Sequence, residues 1–213
     1  MKELRLVDTL AGEIVRPNLD LAQAYAELSI EAITDNPIIK EIPLVKTAAA
    51  LFKTGMAIRE RHFIKKLLHF LHEFHADTTA NKENVEFRER INSDLPFREK
   101  VVGHLLVIID RYVTIEKAQI VARLFRSHIA GEISWEDFVS LSIVIDALQP
   151  SGYKFLEEMS AAVTPFSYHG SARDEEALLS AAGIGTRHGT KFSVTRLGQT
   201  LFNQGLMPLP TSV

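Results

Sequence analysis

Apolar positions recur at helical spacing along most of this chain, and the pattern changes only after Pro150. Residues 1–17 are short and mixed, an N-terminal arm or a single strand. Asn18 then reads as an N-cap, and Leu19, Ala22, Tyr25, Ala26, Ile30 and Ile33 predict a helix to about Thr34, broken at Asn36-Pro37. Pro43 suits the first turn of the next helix. That helix runs through Gly55 into a second amphipathic section ending near Ala76. There Phe63, Ile64, Leu67, Leu68, Leu71 and Phe74 form one stripe, and His62, Lys65, Lys66, His69, His72 and Glu73 form the opposite one.

A short charged helix is expected over 82–92. Two further helices, at about 97–112 and 135–148, are apolar nearly all round and read as central and buried. Between them, Thr114 opens a helix whose core face is Ala118, Val121, Ala122, Phe125 and Ile129, and Gly131 ends it. Ser134 with Asp137 resembles a capping box. Residues 18–150 therefore predict one helical bundle.

Beyond Pro150 a helix at about 153–163 leads into a polar loop reaching Arg173, and a short helix spans Asp174–Ala182. Ile184 to Val194 predicts a hairpin turning at Thr186-Arg-His-Gly189, and Thr195 caps a last helix. Residues 151–213 thus predict a winged-helix-like tail. The expected class is mainly α, a multi-helix bundle with a small C-terminal α/β appendage.

Charge adds one feature. Residues 40–66 carry Lys40, Lys46, Lys53, Arg59, Arg61, Lys65 and Lys66 against Glu41 and Glu60, in a chain of net charge −3. Lys46, Lys53, Arg59, Arg61, His62, Lys65, Lys66 and His69 are accordingly the expected anion- or partner-binding residues. The alternatives for this region are a solvated helix face, whose lysine stems cover apolar surface, and an anionic membrane surface.

Other chemistry is thin. The chain has no Cys, so it offers no disulfide, thiolate nucleophile or Cys zinc site. The run His69-x-x-His72-x-x-His75 has i, i+3 spacing beside Lys65 and Lys66, whereas a helical zinc pair prefers i, i+4. Gly131 to Phe138 resembles half of a calcium loop, but Arg126, His128 and Ala130 fall at the first ligand positions. The tail's helix opens on Asp174-Glu-Glu176, whose acids repel phosphates. Neither a nucleophile elbow nor a phosphate-cradling glycine loop occurs. No catalytic residue, metal or cofactor is therefore expected, and nucleic acid is an unfavoured partner. Glu3, Arg5 and Asp8 interrupt any signal-peptide core, and no window of about 18 residues is both apolar and uncharged. A cytoplasmic protein is expected, with a peripheral position at the inner membrane face as the alternative.

Ile42-Pro-Leu-Val-Lys-Thr47 and Ile58-Arg-Glu-Arg-His-Phe-Ile-Lys-Lys-Leu-Leu-His-Phe-Leu71 resemble motifs of small bacterial helical proteins grouped with the abortive-infection proteins of the alpha type. Phe97-Arg-Glu-Lys-Val101, Leu106-Val-Ile-Ile-Asp-Arg111 and Lys117–Leu148 extend the resemblance. It covers about residues 20–205 and implies bacterial origin and a role in phage defence. Its motifs are structural, so it assigns no catalytic residue. The function expected is a non-enzymatic interaction or regulatory protein with a protein partner, or a second copy of itself. A membrane-active effector using residues 42–76 and a winged-helix DNA-binding regulator are the alternatives.

Overall fold

The computed structural model describes residues 2–15, 37–51, 57–76 and 85–207. They divide into two compact units, Met1–Ala122 and Arg123–Val213. The dividing point lies inside a helix. The fold is mainly α with a small three-stranded antiparallel sheet near the C-terminus.

The first unit opens with α1 (Lys2–Val15), where an arm or strand was the expectation. Val7, Leu10, Ala11 and Ile14 are buried at spacings of three and four, the stripe of a core-facing helix. The short helix α2 (Pro37–Glu41) leads through buried Ile42 to α3 (Pro43–Leu51), with Pro43 in its first turn as expected. Next come α4 (Ile58–His75), α5 (Val85–Ser93) and α6 (Leu95–Arg111). Helix α1 packs on α3 and α6, and α6 also receives α4 and α5. The expected helix at 18–34, the junction at Gly55 and Lys53 lie outside the described residues.

Asp94 caps α6 by accepting a hydrogen bond from the Phe97 amide at 3.0 Å. Val101, Val102, Leu105, Ile108 and Ile109 bury one side of this helix, but Val107 on its other side is 64% exposed. The helix is amphipathic, not apolar-packed all round.

Helix α7 (Ile115–Ile129) carries the dividing point, and Gly131 follows it at φ +78°. In the second unit, α8 (Trp135–Ala147) begins where Ser134 Oγ accepts from the Asp137 amide at 3.0 Å. Its Ile143 is 57% exposed while Phe138, Leu141 and Ile145 are fully buried. Pro150 opens α9 (Pro150–Ser160).

Strand β1 (Ser167–His169) lies where a polar loop was expected. One helix, α10 (Glu175–Ala181), connects it to β2 (Gly185–His188), and β3 (Lys191–Val194) returns between them in the order β1-β3-β2. The hairpin turns at Gly189-Thr190, with Gly189 at φ +59°, so Thr186, Arg187 and His188 belong to β2 and not to the turn. Phe192 centres this small core, its ring 6.0 Å from those of Phe155 and Tyr168. Thr195 Oγ1 caps α11 (Arg196–Thr200), which continues as a π-helical turn, Leu201–Leu206.

Candidate functional site

Three groups of α4 converge on the C-terminal end of α6. Lys66 is 2% exposed, and its Nζ donates to the Asp110 carbonyl at 2.8 Å and the Tyr112 carbonyl at 2.5 Å. His62 Nε2 lies 2.9 Å from the Val113 carbonyl. Arg59 pairs with Asp110 Oδ2 at 2.6 Å. The last carbonyls of a helix have no partner within it, and the helix dipole makes that end negative. Basic side chains from a neighbouring helix answer both needs. Burial pushes the Lys66 ammonium below its usual range, and Asp110 pulls it back up.

The basic residues therefore do not form one accessible face. Lys66 is a buried hydrogen-bond donor, which corrects the expectation that it shares an exposed face with His62, Lys65 and His69. His69 is half-buried, its Nε2 enclosed without a hydrogen-bond partner. Burial lowers its pKa, and the nearby Lys65 and His72 lower it further. Lys65 is half-buried, and so is Arg61, whose Nε is enclosed and unpartnered. Lys46 is exposed and paired with Glu41 at 2.6 Å. Among the described residues, no helix is long and apolar enough to cross a membrane.

Beside this cluster lies a cavity of about 530 Å³, within the usual range of small-ligand pockets. Leu6 and Val7 of α1 form one wall, and Phe63 of α4 another. Gly103, Leu106 and Val107 of α6 form a third. Arg59, Glu60 and Asp110 stand at one end. Gly103 contributes no side chain to that wall, and a Cβ placed there would meet nothing within 4 Å. Glu60 faces the cavity while its Oε2 accepts from the Ala57 amide at the start of α4.

Among the described residues, Arg59 is the one expected site residue that lines this groove. Sequence reasoning missed Asp110, Gly103 and the α1 wall. Two signals were available. An acid in the last turn of a helix opposes the dipole and calls for a cationic partner. A glycine inside a strongly apolar helix costs helix stability and needs a packing reason.

A second polar cluster lies in the second unit. Glu176 is buried, and Arg187 grips both its oxygens, Nε to Oε2 at 2.6 Å and Nη2 to Oε1 at 2.5 Å. The Arg173 amide and the Tyr168 hydroxyl also donate to Oε1. These bonds, Arg187's first, hold the Glu176 pKa down at about 2. Arg187 further donates to the carbonyls of Gly170 and Gly189. The cluster ties β2 to α10 and to the loop after β1.

No family model, no curated protein and no solved structure matches the chain.

Proposed function

We propose that this chain is a non-enzymatic binding protein of the interaction or regulatory class, and that the groove between α1, α4 and α6 is its binding site. One observation carries the reading. Three helices leave an apolar-walled space of about 530 Å³ whose α6 wall contains a glycine where alanine would fit. A helix interior favours alanine over glycine by about 1 kcal/mol, and an alanine methyl here would meet nothing, so packing within the chain gives no reason for the glycine. The ionisable groups nearby support binding over catalysis. Arg59 and Asp110 pair with each other, Lys66 holds the carbonyls that end α6, and Glu60 caps α4. A general acid or base needs a perturbed group within reach of the reacting atom, and these groups are already engaged.

The test is binding of N-phenyl-1-naphthylamine, a neutral fluorophore that brightens in apolar surroundings. Wild type should enhance its emission saturably. Gly103→Leu, which fills the groove from its α6 wall, should weaken that binding by roughly tenfold or more, given the area removed from contact. Equal binding by both proteins would place the apolar site elsewhere and end this reading.

A further inference from the structure

The charged end of the groove has internal counterparts for its charges, and this restricts what the groove can accept. Arg59 and Asp110 are 2.6 Å apart. Among the described residues, Glu60 is the third ionisable group of the lining, and its carboxylate is held by the backbone amide that opens α4. Lys66, directly behind Asp110, is fully enclosed and bonded to two carbonyl oxygens. One cation and one anion cancel at the mouth. Lys66 faces the negative end of α6, and Glu60, within the lining, the positive end of α4.

We infer that the ligand of this groove is uncharged: a hydrocarbon body ending in a neutral oxygen, such as a medium-chain alcohol. This rests on the groove being the binding site. Arg59 and Asp110 neutralise each other at the exposed end of the groove, so an ionised head group drawn in between the apolar walls gives up water without gaining an unpaired counter-charge, which is unfavourable. A hydroxyl avoids this. A carboxylate offers about four lone-pair positions and a guanidinium five N–H groups, so a neutral oxygen can join the pair without breaking it. The walls supply affinity in proportion to the hydrocarbon covered, about fourfold per methylene group, until the groove is full.

The experiment displaces N-phenyl-1-naphthylamine with three molecules of one chain length at neutral pH: nonan-1-ol, nonanoate and nonylammonium. Wild type should prefer the alcohol to either ion by roughly tenfold, reflecting the desolvation of an unpaired charge. Arg59→Ala strips Asp110 of its partner and should move the preference to the ammonium. Asp110→Asn strips Arg59 of its partner and should move it to the carboxylate. Arg59 is 82% exposed, so the first of these variants leaves the core untouched. An ion that displaces the fluorophore from wild type as well as the alcohol does overturns the inference and leaves the groove as the site. Preferences identical in all three proteins also overturn it. A fluorophore signal indifferent to Gly103→Leu removes the groove reading, and this inference with it.

Discussion

In the first unit a buried lysine meets main-chain carbonyls, and in the second a partly buried arginine meets a buried carboxylate. Both contacts bind distant parts of the chain together, but they differ in what is left when the cation goes. Without Lys66, the oxygens of Asp110 and Tyr112 lose a donor and remain neutral. Without Arg187, Glu176 remains as a charge inside protein. The electrostatics follow the same division. Arg187 holds the Glu176 pKa down at about 2, whereas burial lowers that of Lys66. A cation opposite a formal anion is reinforced, and a cation opposite dipoles is only tolerated.

The largest expected effect therefore belongs to the second unit. Arg187→Met should lower the stability of the second unit, because it strips Glu176 of the cation that holds both its oxygens. Adding Glu176→Leu should recover much of it, because the stranded charge goes too. Trp135 is the chain's one tryptophan and lies in the second unit, so urea unfolding followed by its fluorescence reports the loss there. No measurable loss would mean that Glu176 is better solvated than its enclosure implies.

Lys66→Met should cost less, about 1–3 kcal/mol, the penalty for buried acceptors left unsatisfied. Hydrogen exchange of the α6 amides gives the measurement. A Lys66 variant more damaging than the Arg187 variant would reverse the comparison.

Acid separates the units by pH. His69 is held below its ordinary pKa by burial, so the unfolded chain takes up the proton first. The first unit should lose stability as pH falls through about 6.5. His104, also lowered by burial, adds to this. Glu13 opposes it: burial raises its pKa, and protonation restores stability as pH falls through that raised value. In the second unit, the depressed Glu176 contributes stability that is complete above about 4.5 and disappears as pH falls toward 2. Urea midpoints at pH 7.5, 6 and 4 should move in the first unit before the second. His69→Gln should reduce the first shift, and no change between pH 7.5 and 6 would count against His69 as its source.

Much of the helical framework was legible because period and caps agree. Pro43, Ser134, Thr195 and Gly131 stand at element ends as their chemistry predicts. The elements that escaped were those whose signal is tertiary. Strand β1 has three residues with one aromatic, and its identity comes from pairing with β3, Tyr168 opposite Phe192. Helix α1 looked mixed because Glu13, a charged residue, is on its buried side. The candidate site was least legible. Basic residues on a polar stripe read as solvent-facing, but a helix end needing donors can draw a lysine inward from another helix. Nothing local to Lys66 records that Asp110 and Tyr112, far along the chain, supply its acceptors.

The smallest effect is the sharpest test, because one substitution should change sign between the units. Gly198 of α11 has no room: a Cβ there would lie 2.5 Å from Val194 Cγ1 and 2.9 Å from the Ile184 carbonyl oxygen. Gly198→Ala must push a strand away from a helix and should cost about 1–3 kcal/mol. Gly103 is also helical, but its Cβ would enter open space. Gly103→Ala should therefore stabilise the first unit by about 0.5–1 kcal/mol, the difference in helix propensity. It should also weaken fluorophore binding, though less than Gly103→Leu does, because a methyl group removes part of the volume. Gain of stability with loss of binding identifies a glycine kept for the groove, a local cost borne for function. A Gly103→Ala protein that is less stable than wild type would show that the space is already filled and that this glycine, like Gly198, serves packing.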